Sequence, residues 1–384
     1  MVSPNDIIFS MKVAIRKLKE ISYQEIRAKV NEIFDLLGGV ERFVSLGDKV
    51  LIKPNLLSPS RIEEARITDP RVIEAIVELI HPLASEVWIG DSSGVSTKSA
   101  TERTMDSINL KDLLKRYPKL KLRNFDEEGK RIIEIGLGKR GKIHIALAQA
   151  VFEADKVINV PKLKTHNFTV MTCAVKNTFG CLPGGQKARV HAEARDPESF
   201  SHALINIHLA VKPTLSIVDA TLSMEGEGPS WGKPIETKLI FGGENSFAVD
   251  IVASKIMGFK PGRIPTIKVA EDRNLNPDRI EILGEELKEV SFNFEPPKSG
   301  ILARALPSFL WKGLTSRVRM DENKCVRCGI CAKNCPVKAI ELNPYPRVDE
   351  RKCIMCFCCH ELCPVGAVKI QERLLSRILL RGGS

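Results

Sequence analysis

Over the first 290 residues, short apolar runs alternate with stretches of helical period. Residues 12–18, 49–53, 86–90, 156–160, 214–219 and 238–242 are brief segments rich in Val, Ile and Leu, as expected of strands covered on both faces. Residues 23–37 form an amphipathic stretch closed by Gly38-Gly39, a helix with its stop signal. Asp69-Pro70 supplies an N-cap followed by proline at the first helical position, so a helix is expected from there to His81, before Pro82. Another helix is expected over 245–257. This strand–helix order predicts an α/β fold, a mostly parallel, helix-covered sheet. In such sheets ligands sit beyond the carboxyl ends of the strands. Lys53-Pro54-Asn55, Gly90-Asp91-Ser92-Ser93-Gly94, Asn159-Val160-Pro161-Lys162 and Asp219 all fall at or just after a predicted strand end.

After residue 290 the pattern changes, and one cysteine motif is written twice. Cys325, Cys328, Cys331 and Cys335-Pro336 are followed by Cys353, Cys356, Cys359 and Cys363-Pro364, each copy reading C-x2-C-x2-C-x3-C-P. Three closely spaced thiolates can wrap one face of a cubane, and the fourth is carried to the other cluster. The spacing therefore predicts two [4Fe–4S] clusters. One is held by Cys325, Cys328, Cys331 and Cys363, and the other by Cys353, Cys356, Cys359 and Cys335. Aligning the copies sets Cys359 against Cys331 and Cys358 against Ile330, so Cys358 is expected to be a small buried apolar residue. Zinc shares the C-x2-C spacing. It gives no reason for the third cysteine of each copy or for both Cys-Pro turns. A short apolar helix is expected after each Cys-Pro, over 337–342 and 365–370. The whole module is expected to be a small α+β ferredoxin-like unit.

Four segments follow: an α/β domain over 1–290, a basic amphipathic linker over 291–319, the ferredoxin module over 320–372, and a basic amphipathic tail over 373–384. Residues 301–319 and 372–381 mix Leu, Ile, Phe and Trp with arginine and lysine. Such segments dock domains or partners, and either could also rest on an anionic membrane surface. Thiolate-held clusters suit a reducing, anaerobic cytoplasm. Residues 1–10 lack the basic-then-apolar pattern of an export signal, and no apolar run approaches a membrane span.

The densest polar chemistry outside the cysteines lies in Lys162, Lys164, His166 and Asn167, continuing through Lys176, Asn177, Gly180, Lys187 and His191. Lysine supplies point charge, histidine and asparagine directional hydrogen bonds, and glycine close backbone approach. No Asp or Glu falls between Lys162 and Lys187. The segment reads as an anion site for phosphate or carboxylate. Lys162, Lys164, Asn177 and Lys187 are candidate binding residues, and His166, Lys176 and His191 candidates for proton delivery.

Together with Lys53-Pro54-Asn55, Gly90-Asp91-Ser92-Ser93-Gly94, Asp219, the segment from Met224 to Pro229 and Asp250, this block resembles family 362 of domains of unknown function. Members are often fused to a ferredoxin module. The resemblance covers about residues 10–285 and implies an α/β domain in an iron–sulfur protein, without supplying a reaction.

Other features shift the picture less. The acidic stretch Met224–Pro229 reads as a mobile surface loop, or with Asp219 as a base or a carboxylate pair for a cation. Asp250 reads as a structural hydrogen-bond acceptor, and His144, His202 and His208 as structural singles. No P-loop occurs, and a nucleotide is not expected. A flavin could bridge one- and two-electron chemistry, but no residue demands one. The net charge of +11 favours acidic partners or anionic ligands. Aromatics are only 5% and no basic run is interleaved with them, so a nucleic-acid platform is not supported. Three classes then compete. One is an oxidoreductase acting on a small anion, and another an electron carrier whose basic Arg327, Lys333, Lys338, Arg351 and Lys352 attract an acidic redox partner. The third is a cofactor-assembly protein with structural clusters.

Overall fold

A computed structural model of the chain describes residues 10–94, 98–297 and 317–371. Most of the amphipathic segments 301–319 and 372–381 lies outside the described residues. Sixteen strands are defined among the described residues. In the large domain they are β1 Met11–Lys17, β2 Lys49–Pro54, β3 Glu86–Asp91, β4 Leu120–Asn124, β5 Lys130–Gly136, β6 Lys142–Ala148, β7 Lys156–Val160, β8 Lys162–His166, β9 Val170–Thr172, β10 Leu215–Glu225, β11 Lys233–Gly243 and β12 Ile280–Gly284. In the carboxy-terminal module they are β13 Arg317–Met320, β14 Ile340–Leu342, β15 Pro346–Val348 and β16 Val368–Gln371.

The main sheet has ten strands in the order β12-β1-β11-β10-β7-β2-β3-β4, with β8 joined to β10 and β9 to β8. The run from β10 through β7, β2 and β3 to β4 is parallel, as are the β1–β12 and β8–β10 pairs. Antiparallel pairing is confined to β11 against β1 and β10, and to β8–β9. The fold is thus a mostly parallel α/β sheet followed by a small module.

The central strands are apolar throughout because helices or hairpins cover both faces. Val50 and Ile52, Val87 and Ile89, and Ile158 and Val160 face the helices Tyr23–Leu36 and Pro70–Ile80. Leu51, Trp88 and Val157 face the β5–β6 hairpin and the helix Pro197–Val211. Asp69 caps its helix as expected, accepting from the Arg71 amide; Ser22 likewise accepts from Glu25, and Asn245 from Phe247 and Ala248.

The module packs against this second face. Val318, Cys331, Ile340, Phe357 and Val368 belong to the same hydrophobic cluster as Phe179, Val190 and Phe200. Trp231 closes the junction: its indole donates to the His360 carbonyl at 3.0 Å, and the Arg66 guanidinium lies 4.3 Å over its ring. Gly366 has φ of +61°, and a Cβ there would sit 2.9 Å from the Trp231 ring, so only glycine fits.

Two expectations are corrected. No helix follows either Cys-Pro. After Pro336 and Pro364 the left-handed residues Lys338 and Gly366 turn the chain into β14 and β16, and the helical turns come before, at Ile330–Lys333 and Cys358–Glu361. The acidic stretch from Met224 to Pro229 is not a loose surface loop. Glu225 is buried and accepts from the Glu295 amide, while the Gly228 carbonyl accepts from Asn167. Asn167 and Glu295 thus tie the stretch down beside the Trp231 junction.

Candidate functional site

The module's two halves are structural repeats as well as sequence repeats. Arg327 and Gly329 in the first and Met355 and Phe357 in the second occupy matching left-handed positions between the cysteines. Those reversals turn sulfurs inward. Cys325, Cys328, Cys331 and Cys363 line one apolar cavity, and Cys335, Cys353, Cys356 and Cys359 line another. The Ala367 amide donates to the Cys363 sulfur and the Ala339 amide to Cys335, each at 3.2 Å. Four inward sulfurs, apolar walls and N–H···S bonds are the donor set a [4Fe–4S] cubane requires.

A third cavity, of about 90 Å³, opens where the module meets the carboxyl ends of β2 and β3. The large domain contributes Lys53, Asn55, Asp91, Lys176, Lys187 and His191, and the module contributes Asn334, Cys358 and Glu361. Cys358 sits beside the second cysteine set: its sulfur, that of Cys356 and a ring nitrogen of His191 lie within 4.8 Å of one another. Its hydrogen bond to Cys356 and its burial push the Cys358 thiol well above its ordinary range, and the same bond draws Cys356 below.

The cavity's lysines differ in their partners. Lys53 is fully buried and pairs with Asp91 at 2.9 Å, while Asp91 also accepts the Leu56 and Ser92 amides. A Cβ at Gly180 would fall on that ion pair, which explains the glycine. Lys187 donates to the Ser92 carbonyl and hydroxyl and to the Ser93 carbonyl, at 2.7 to 3.1 Å. Burial lowers its pKa to about 8, opposed by Asp91 and Asp126. Lys176 sits 5.7 Å over the Phe179 ring, and burial lowers its pKa against the pull of Glu361. Glu361 is pushed up to about 7 by burial, with Lys176 and Lys164 opposing. Burial, then Lys176, lowers His191 to about 3, so its imidazole is neutral.

Of the residues expected to form the site, Lys176, Asn177, Lys187 and His191 line the cavity, and Lys162, Lys164 and His166 do not. Lys162 is buried in an ion pair with Asp219 at 2.8 Å. Asp219 also accepts the Asp69 and Thr221 amides, so it is a structural hub rather than a free base or cation ligand. Lys164 donates to the Asn55 side chain at 2.8 Å and to the Arg66 carbonyl, and burial holds its pKa well below the usual lysine range. His166 reaches the cavity only indirectly: Nδ1 accepts the Phe168 amide and Nε2 stands 3.3 Å from Glu361. Asn177 donates to Asn159 and to the Lys53 carbonyl and accepts from Asn55, joining the ends of β2 and β7. Asp250 accepts the Ala174 and Val175 amides and so fixes the turn that carries Lys176 and Asn177.

Asp91, Lys53 and Asn55 were visible as strand-end motifs. Glu361 and Asn334 carried no such signal. The one hint was a charge reversal between the copies, Lys333 in the first and Glu361 in the second.

An α/β domain joined to a module with this cysteine set defines an iron–sulfur protein. Residues 318–341 match the 4Fe-4S binding domain, and residues 50–255 match the domain of unknown function DUF362. The chain belongs to the DUF362 family. It is 34% identical over 280 residues to the thylakoid-associated protein sll1697 of Synechocystis sp., covering 71% of this chain and 83% of that one. Among solved structures it is similar to the lactate racemase apoprotein of Thermoanaerobacterium thermosaccharolyticum, at 14% identity and a TM-score of 0.39. That match covers 64% of this chain and 56% of the racemase. Among the described residues, no helix is long and apolar enough to cross a membrane.

Proposed function

We propose that this chain is a cytoplasmic iron–sulfur oxidoreductase with two [4Fe–4S] clusters, one on each four-cysteine set. It passes electrons to or from an anionic substrate, a phosphate or carboxylate, held in the cavity between the α/β domain and the module. The observation that carries this is the shared wall. Cys358 and Glu361 of the module face the same cavity as Lys176, Lys187 and His191, and Cys358 adjoins a cysteine of the second set. When bound, the clusters supply one-electron transfer.

The protein's own residues set the rest. Lys176 and Lys187 balance the charge of an anion; Asn55, anchored by Lys164 and Asn177, offers an orienting amide. Neutral His191 offers a hydrogen bond without a net charge. The Lys176 ammonium, its pKa lowered by burial, supplies a proton. In the first set, exposed Cys328 is flanked in sequence by exposed Lys324 and Arg327. This basic face suits an acidic redox protein that delivers or collects electrons.

The test uses anaerobic, iron-loaded protein, reduced and followed by electron paramagnetic resonance during titration with sulfate. About eight iron and eight sulfide per chain are expected. Sulfate should perturb one cluster signal and leave the other unchanged, and Lys176→Met should remove the effect. Signals indifferent to sulfate, phosphate and carboxylates would instead describe an electron carrier.

A further inference from the structure

The second cysteine set has a neighbour that the first lacks. Where the first copy carries Ile330, the second carries Cys358. His191 faces it from the other domain, 6% exposed, stacked on Phe200 at 4.3 Å and edge-on to Phe179 at 5.7 Å. Its Nδ1 is buried and makes no hydrogen bond. A buried imidazole nitrogen left without a partner is costly, and the aromatic clamp prevents the ring from turning away. One ring nitrogen and the sulfurs of Cys356 and Cys358 form a triangle no wider than 4.8 Å.

We propose that His191, Cys358 and Cys356 form a metal site distinct from the iron of the clusters, taking a thiophilic divalent transition ion of zinc's class. Cys356 is shared between this ion and the second cluster, and the fourth coordination position opens into the cavity. The proposal rests on the reading of Cys356 as a cluster ligand.

The chemistry fits on three counts. Imidazole with two thiolates is a borderline-soft donor set that selects zinc-class ions over magnesium or calcium. Three protein ligands with one open position are the arrangement of a catalytic rather than a structural zinc. A tetrahedral ion with bonds of about 2.0–2.3 Å needs donors roughly 3.5–3.8 Å apart, within small side-chain adjustments of the present triangle. Binding forms bonds to the nitrogen and both sulfurs and releases the Cys358 thiol proton to solvent; no electron moves. An anion held by Lys176 and Lys187 would then complete the ion's coordination.

The experiment starts from anaerobic, cluster-loaded full-length protein dialysed against zinc. Metals and protons are counted and zinc X-ray absorption is recorded. The expected result is about one zinc per chain beyond the cluster iron, with two sulfurs at about 2.3 Å, one nitrogen at about 2.0–2.1 Å and about one proton released. Cys358→Ile restores the residue of the first copy and should abolish zinc binding while iron and sulfide stay unchanged; His191→Gln should do the same. Equal zinc in wild type and Cys358→Ile, or zinc gained only as iron is lost, would overturn the site. Sulfate sensitivity without zinc leaves the substrate cavity standing and removes the metal. Zinc binding without sulfate sensitivity does the reverse.

Discussion

Lys162 and Lys176 are both buried lysines from one basic stretch, and their partners give them opposite energetics. Lys162 meets Asp219 in a fully buried pair, so Lys162→Met leaves an uncompensated carboxylate. A loss of about 3–5 kcal/mol is expected in anaerobic denaturant unfolding. Lys176 faces the cavity with its pKa lowered by burial. Lys176→Met should therefore keep or raise stability while weakening sulfate binding at least tenfold, read by calorimetry. The sequence showed a cluster of cations but could not show which already had a carboxylate, because Asp219 is 57 residues from Lys162. Lys187 adds a pH signature. Its pKa, lowered to about 8, leaves it cationic below that pH and neutral above. Sulfate keeps its charge throughout, so its affinity should fall as pH rises through about 8, and a flat profile from pH 7 to 9 would exclude Lys187.

Among elements, the buried strands and capped helices were readable because composition and end signals agreed. The β8–β9 hairpin was not. Every residue of β8 is buried, so its lysines and histidine show no polar–apolar alternation, and charge masked a strand. The strands after each Cys-Pro were missed for the opposite reason: short apolar runs suit helix or strand alike, and the left-handed residue before them decides. The turn Ala174–Asn177 depends on a helix far along the chain, since Asp250 accepts two of its amides. Asp250→Ala should leave both N–H groups unsatisfied, at about 1–3 kcal/mol each. Melting temperature and sulfate affinity should fall together, whereas loss of stability alone would uncouple Asp250 from the cavity.

Across the whole molecule, the cysteine assignment needed only spacing, whereas the cavity needed docking. Its module wall includes Cys358 and Glu361, which meet Lys176 and His191 only because the module is seated on the α/β domain at Trp231. Trp231→Ala removes the bond to His360 and the Arg66 stack, on the order of 2 kcal/mol of docking free energy. Hydrogen exchange should then accelerate at the junction while both clusters stay bound. The most direct measurement is an anaerobic crystal structure of the cluster-loaded protein grown with sulfate. One cubane is expected on Cys325, Cys328, Cys331 and Cys363 and one on Cys335, Cys353, Cys356 and Cys359, with sulfate between Lys176 and Lys187 against the module wall. A cavity filled by water at saturating sulfate, or a module lifted away so that Cys358 no longer faces His191, would contradict that arrangement.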